Sequence, residues 1–183
     1  INKGCEENIY FIISSKSHDY TRMKSIGPVV RMGSFKHRLL TLHADLVISS
    51  QANVEILNPF FRQLNHFVDL THYKFVFLQH GIIRHDLSSW LNRFNKDISL
   101  FITSSKSEYD SILKNDYYYT KDQVVLTGLP RYDFLTNKPK NKIIIAPTYR
   151  NNLVVGGTNK FGANRYNPEF KSSRYFKFYN GLL

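Results

Sequence analysis

The sequence predicts an α/β fold: a Rossmann-like, doubly wound parallel sheet followed by the start of a second α/β domain. Three observations predict it. Seven short apolar runs are continuous rather than alternating, which is typical of parallel strands buried on both faces. Segments with helical spacing or helix-capping residues separate most of these runs. A polar stretch that contains proline then interrupts the pattern, and a new apolar run follows it.

Strands and helices are predicted to alternate along the chain. Ser34 starts a helical pattern that runs to His43, and Asp86 can cap a helix with apolar spacing. Ser105, with Glu108 three residues later, makes a capping box ahead of another helix. The predicted strands are IYFIIS (9–14), GPVVRM (27–32), DLVISS (45–50), KFVFLQ (74–79), ISLFITS (98–104), QVVLTG (123–128) and KIIIAP (142–147).

This pattern divides the chain into two domains joined by a linker. Residues 1–134 make the Rossmann-like domain, 135–141 make the linker, and 142–183 begin the second domain. The second domain has one predicted strand and one predicted helix, which cannot bury their own apolar faces. We therefore expect the chain to be a piece of a longer protein.

Charge and composition narrow the function classes. The formal net charge is +11, which favours anionic partners, although a solvated basic surface is the simplest alternative. The sequence has neither a nucleic-acid-binding motif nor a run of 18 apolar residues. Its single cysteine, Cys5, cannot form an internal disulfide, and no cysteine or histidine spacing indicates a metal site.

The strand KFVFLQ ends in a polar cluster that forms the first candidate site. His80 and Gly81 lie where ligands bind in open parallel sheets, and Arg84 adds a positive charge. Gly81 permits positive φ and close approach of a ligand, and the helix near Asp86 directs free N–H groups to the same place. An imidazole beside an anion site can act as a general base. The alternative is that His80 only bonds neighbouring backbone. His85 is expected on the surface near the helix start in either case.

TGLPRYD (127–133) forms the second candidate site and also follows a predicted strand. Gly128 and Pro130 shape a turn there, and the guanidinium of Arg131 suits phosphate or carboxylate. Asp133 either pairs with Arg131, which would be a purely structural role, or caps the next helix.

APTYR (146–150) forms the third candidate site. Thr148 and Arg150 follow the strand that starts the second domain, where they can face a cleft between domains. The glycine-rich segment after them fits neither the dinucleotide-binding fingerprint nor the Walker A pattern. The chain also lacks G-x-S-x-G, which weakens hydrolase interpretations.

Together, LQHGIIRHDLSSWLN, GLPRYDFL and IIIAPTYRNNL resemble, in order and spacing, the motifs of the CDP-glycerol glycerophosphotransferase family. These are the bacterial teichoic-acid and capsule polymerases, and the resemblance covers residues 27–183. It implies a two-domain glycosyltransferase-B architecture. It also implies transfer of glycerol phosphate, or ribitol phosphate in relatives, from a CDP-alditol to a cell-wall or capsular polymer, with release of CMP.

The resemblance also implies roles for residues. His80 corresponds to the family's proposed catalytic base, and Arg131, Asp133, Thr148 and Arg150 correspond to its substrate-binding motifs. Many members carry Thr-Pro after His-Gly, where this chain has two isoleucines, so the acceptor class stays open. Because the later nucleotide-binding part of the second domain is absent, we expect this fragment alone to be inactive.

The implied partners are a CDP-alditol donor, a polyanionic or lipid-linked glycan acceptor and an anionic membrane surface. No cofactor and no nucleic acid are expected. The enzyme would be cytoplasmic and peripheral on the inner face of the bacterial membrane. Two alternatives remain: a nucleotide-sugar glycosyltransferase of the same architecture, and a basic module that binds anions or membrane surfaces.

Overall fold

The computed structural model of the protein describes residues 8–60, 62–136, 138 and 171–181. The chain divides into two units, Ile1–Thr136 and Asn137–Leu183. The predicted strand at 142–147 lies outside the described residues, and so do Thr148 and Arg150.

Parallel strands and helices alternate along the first unit, which confirms the α/β class. Its elements are β1 (Phe11–Ile13), α1 (Tyr20–Lys24), β2 (Val29–Arg31), α2 (Phe35–Leu42), β3 (Leu46–Ser49), α3 (Val54–Leu57), a 3₁₀ segment (Arg62–Leu70), β4 (Lys74–Phe77), α4 (Ser88–Leu91), α5 (Arg93–Lys96), β5 (Ile98–Thr103), α6 (Lys106–Lys114), β6 (Val124–Leu126) and a 3₁₀ turn (Pro130–Phe134). One sheet pairs β1 with β2, and the other has the order β3-β4-β5-β6. All pairs are parallel, as in a Rossmann-like sheet.

Strand β5 lies inside the larger sheet and is its most deeply buried strand. Ile98, Phe101 and Thr103 are all 0% exposed. The Phe101 ring meets Phe77 of β4 edge-on, with centroids 5.2 Å apart, and Tyr119 at 5.4 Å. Such aromatic pairs add to the stabilisation that burial gives. They hold β4 and β5 together just before the two strands end.

Strand β3 is where the prediction of buried strands is partly wrong. Leu46 is 50% exposed and Ile48 is 56% exposed. Alternate strand residues point to the same face of a sheet, so these two side chains share one face. Within the described residues β3 pairs only with β4, and this face is left about half exposed.

Two helix starts have a serine cap, at Ser105, where the capping box predicts it, and at Ser34, where the predicted helical pattern begins. Ser34 Oγ accepts a hydrogen bond from the backbone N–H of His37 at 3.2 Å, at the start of α2. Ser105 Oγ accepts from the backbone N–H of Glu108 at 3.2 Å, at the start of α6. Both are N-cap bonds, which satisfy amides that have no partner inside the helix.

The continuous helix predicted from Asp86 is wrong. Two single turns, α4 and α5, stand in its place and are separated at Asn92. Asn92 has extended backbone, with φ −75° and ψ 163°, and its side chain accepts from the N–H of Asn95. Asparagine competes with the helix for backbone hydrogen bonds in this way, so it starts a new turn instead of continuing the first.

The described part of the second unit contains one helix, α7 (Arg174–Asn180). The backbone N–H of Phe176 donates to Ser173 Oγ at 3.1 Å, close to the start of this helix. Across the residues that the structure describes, no helix has the length and apolar character needed to cross a membrane.

Candidate active site

The candidate site residues of the first unit lie at one edge of the larger sheet. Parallel strands all end on the same side, so the loops after β4 and β6 leave the sheet together. The first loop carries His80, Gly81 and Arg84, and the second carries Arg131 and Asp133. Because β5 lies between the two strands, their ends are about 10 Å apart at ordinary strand spacing.

His80 is anchored through one ring nitrogen. Its Nδ1 lies 2.9 Å from the carbonyl oxygen of Ser50, in the loop after β3. A carbonyl oxygen can only accept, so Nδ1 carries the proton and Nε2 of the neutral ring is left with its lone pair. The side chain of His80 is exposed, and no hydrogen bond joins Nε2 to any described residue. The backbone contact therefore accounts for one nitrogen and leaves the other ready to accept a proton.

The backbone before His80 corrects the prediction for Gly81. Positive φ occurs at Gln79, at 61°, and not at Gly81. A non-glycine residue in this region is strained and persists only where its surroundings hold it, and Gln79 is buried. A Cβ added at Gly81 would meet no atom within 4 Å. Gly81 thus leaves open space beside His80, while Gln79 makes the turn out of the sheet.

Glu108 is a site residue that the sequence did not indicate. It is 2% exposed, and its Oε1 accepts from the backbone N–H of Ile83 at 2.9 Å. Its Oε2 accepts from the backbone N–H of Ser104 at 2.8 Å. The predicted capping box would have aimed this carboxylate at the N–H of Ser105. Instead it ties the loop after β4 to the loop after β5, a contact between segments that local spacing does not reveal.

The far end of the loop after β4 has its own tether. The backbone N–H of Leu87 donates to the hydroxyl of the buried Tyr117 at 2.8 Å. Asp86 Oδ1 accepts from the N–H of Ser88 at 2.9 Å, and this bond lowers the pKa of Asp86. Leu87 occupies the N-cap position of α4, so Asp86 is not the cap that was predicted; it bonds the first helical amide from one residue earlier. The expected helix start facing a ligand is wrong, because α4 is a single turn and Asp86 occupies its first amide.

Among the described residues, the loop after β6 is held near its beginning, where Leu129 is also buried. Gly128, with φ +84°, donates its N–H to the carbonyl of Thr103 at 3.1 Å. The 3₁₀ turn that follows is exposed, and the Arg131 guanidinium lies 5.3 Å from the ring centre of Tyr132. Asp133 lies inside this turn and forms no ion pair with Arg131. Neither structural role considered for Asp133 is present.

The charges at this edge suit an anion. Arg84 and Arg131 are exposed, and neither makes an ion pair with a described residue. His85 is exposed, as predicted. Within residues 8–60, 62–136, 138 and 171–181, no group of three or more histidine, cysteine, aspartate or glutamate side chains could hold a metal ion.

Comparison of the sequence with known proteins identifies the family of the chain. The model of the CDP-glycerol:poly(glycerophosphate) glycerophosphotransferase family matches residues 2–176. The minor teichoic acid biosynthesis protein GgaB of Bacillus subtilis (strain 168) is 45% identical over 184 residues, covering 100% of this chain and 20% of that protein. The chain thus spans about one fifth of that relative's length, and no solved structure matches it significantly. The predicted resemblance is confirmed, and the chain belongs to the CDP-glycerol:poly(glycerophosphate) glycerophosphotransferase family.

Proposed function

We propose that the full-length protein transfers glycerol phosphate from CDP-glycerol to a teichoic-acid-type polymer and releases CMP. The observation that carries this proposal is the state of His80. Its Nδ1 is anchored on Ser50, and its exposed Nε2 is left as the acceptor at the carboxyl edge of a parallel sheet. The family supports the choice of donor. The net charge of +11 suits a diphosphate donor and a polyanionic acceptor.

In the proposed reaction His80 acts as the general base. Nε2 accepts the proton of the acceptor's terminal hydroxyl, and that oxygen forms a bond to the β-phosphorus of CDP-glycerol. The bond from the β-phosphorus to the bridging oxygen breaks, and its electron pair leaves with CMP. Arg84 and Arg131 stabilise the negative charge that develops on the phosphoryl oxygens and on CMP.

The remaining predicted site residues keep proposed substrate roles. Gly81 leaves room for the donor or acceptor beside the imidazole, because the position that a Cβ would take there is open space among the described residues. Asp133 is exposed and can accept hydrogen bonds from substrate hydroxyls. Thr148 and Arg150 contribute through the second domain, as the resemblance implies, although both lie outside the described residues.

We extend the proposal to an anionic membrane surface as a partner. An exposed aromatic group follows the His80 loop: Phe94 is 80% exposed and packs on Tyr118 at 5.2 Å, and Lys96 Nζ lies 5.3 Å from the Trp90 ring centre. Aromatic rings combined with cations favour the interface of anionic lipids. This group supports peripheral binding at an anionic membrane surface; the inner face of the membrane and a lipid-linked acceptor are what the family resemblance implies.

A donor comparison with the full-length protein tests this function. CMP release is measured with CDP-glycerol, with CDP-ribitol and with a nucleotide sugar, each with a glycerophosphate polymer as acceptor. We expect CMP release with CDP-glycerol. Release of nucleotide from the nucleotide sugar alone would replace the proposal with the glycosyltransferase alternative. Absence of transfer together with salt-sensitive sedimentation on anionic liposomes would favour a membrane-surface-binding module.

A further inference from the structure

Glu108 is a buried charged side chain that the proposed mechanism does not use. It lies in the first turn of α6, and both of its carboxylate oxygens accept hydrogen bonds. Oε2 also receives the hydroxyl of Ser104 at 3.3 Å, and Oε1 has a longer contact with Gln79 Nε2 at 3.5 Å. Burial of a carboxylate is costly unless hydrogen bonds compensate for lost water. A glutamate with this many donors is held in a single position.

These contacts fix the backbone on both sides of His80. On the β3 side, the imidazole bonds the carbonyl of Ser50. On the β5 side, Glu108 bonds the N–H of Ile83, three residues after the imidazole. Gln79, just before His80, keeps its positive φ while its side-chain amide points to the same carboxylate. The His80 loop is therefore held on one side by the loop after β3 and on the other side by helix α6, which follows β5.

Capping of α6 does not explain this arrangement. The N-cap bond of α6 uses the N–H of Glu108 and the hydroxyl of Ser105, and it leaves the carboxylate free for other partners. The carboxylate then bonds across 25 residues of sequence to Ile83. An isosteric amide at position 108 has one oxygen and one NH₂ group, so it cannot accept from both Ile83 and Ser104.

We propose that Glu108 is the positioning residue that holds the His80 loop in the geometry needed for proton transfer. This inference rests on the proposed function and deepens it. Glu108 touches neither donor nor acceptor in this account; it acts through the backbone of Ile83 and the side chain of Gln79. Small displacements of a reacting group lower the rate of chemistry much more than they lower substrate binding.

The test compares two variants at the start of α6 in the full-length protein. Glu108→Gln weakens the hydrogen bond from the backbone N–H of Ile83 to the side chain at position 108, which we call the tether. Ser105→Ala removes the N-cap of the same helix and leaves the tether in place. Asp110→Asn is the charge control, because this carboxylate pairs only with Lys106 in the described residues. Glu108→Asp keeps the charge and shortens the side chain, and it serves if Glu108→Gln does not fold.

Glu108→Gln is expected to lower kcat for CMP release about 10- to 100-fold, with KM for CDP-glycerol changed less than about threefold. Glu108→Asp should show a smaller loss of kcat. Ser105→Ala and Asp110→Asn should keep kcat within about twofold. An unchanged kcat in Glu108→Gln, or an equal loss in Ser105→Ala, would overturn the inference.

Amide hydrogen exchange separates this inference from the proposed function. Glu108→Gln should speed exchange at the amide of Ile83 at least tenfold, and Ser105→Ala should not. Absence of CMP release by the unmodified protein would overturn the proposed function and, with it, a catalytic role for the tether. Unchanged exchange at Ile83 would overturn the tether itself, whatever the activity.

Discussion

The loops after β4 and β6 leave the same sheet edge, yet they are held very differently. The loop after β4 is tied through His80, Ile83 and Leu87 to three separate segments. Within the described residues, the loop after β6 is tied near its start, through the carbonyl of Thr103 and the buried Leu129, and then runs exposed through Arg131. Among the described residues, the first loop is fixed by hydrogen bonds that involve side chains, and the second is held at its start by a backbone bond and by the buried side chain of Leu129.

This difference matches the two proposed tasks. A general base must be placed within hydrogen-bond reach of its proton, so a fixed loop suits His80. An arginine that binds phosphate must be accessible to its substrate, and Arg131 is exposed and makes no ion pair with a described residue. The comparison predicts that tethers matter for the first loop and side-chain chemistry matters for the second.

The largest expected effect comes from truncating a buried side chain of β5, the strand between the two loops. Phe101→Ala should lower the free energy of unfolding by about 3–5 kcal/mol, because the ring is fully buried and contacts Phe77 and Tyr119. Phe94→Ala, at an exposed position, should change it by less than about 0.5 kcal/mol. Urea unfolding measures both, and equal effects would contradict the described core.

The second largest effect on stability is expected from losing the hydrogen bond that holds the far end of the loop after β4. Tyr117→Phe leaves the N–H of Leu87 without its acceptor and should cost about 1–3 kcal/mol of unfolding free energy. Tyr118→Phe is the matched control, because Tyr118 is exposed, and it should cost less than about 0.5 kcal/mol. An unchanged free energy of unfolding in Tyr117→Phe would show that the hydroxyl does not hold this end of the loop.

The loop after β6 should respond in binding rather than in stability. Arg131→Ala should raise KM for CDP-glycerol about tenfold, because a charge-assisted hydrogen bond to phosphate is lost. Arg131→Lys should raise KM less than Arg131→Ala does, since lysine keeps the charge without the planar fork. Lys121→Ala, at the opposite end of β6, should leave KM unchanged. Steady-state kinetics measure KM for each variant. An unchanged KM in Arg131→Ala would show that Arg131 does not bind the donor.

The smallest effect is a pH dependence away from both loops. Burial, and then the Arg38 charge, lower the pKa of His37 from 6.5, and its Nδ1 accepts from the N–H of Gly33 at 3.0 Å. The unfolded chain therefore binds this proton at higher pH than the folded chain. Stability should fall as pH drops below about 6.5 toward the lowered pKa.

Urea midpoints at pH 7.5 and pH 5.5 measure this dependence. His37→Gln should show a smaller drop in stability than the unmodified chain over that interval, because the residue no longer titrates. His43→Gln, at an exposed histidine, should keep the full drop. An equal drop in all three proteins would contradict the role of His37.

Local signals were enough for the six predicted strands that lie in the described residues, for two helix starts and for the strand-end position of His80. Ser34 and Ser105 cap helices through bonds that span three residues, which sequence spacing reveals. The break at Asn92 also had a local signal, but apolar spacing outweighed it in the prediction. These successes and this error all involve residues close together in sequence.

The tethers of the site could not be predicted in this way. Glu108 reaches Ile83 across 25 residues, and His80 reaches Ser50 across 30. The positive φ at Gln79 follows from its packing rather than from its residue type, since glycine was the expected residue for that role. Contacts of this kind depend on which strands become neighbours, and only the folded sheet determines that.

Two histidine variants test whether His80 is the base. His80→Ala and His85→Ala are made in the full-length protein, and CMP release from CDP-glycerol is measured after both variants are shown to be folded. Loss of a general base should lower kcat for His80→Ala by about 10²- to 10⁴-fold. His85 is exposed in the same loop, and His85→Ala should stay within about twofold. Near-normal turnover by His80→Ala would contradict the account.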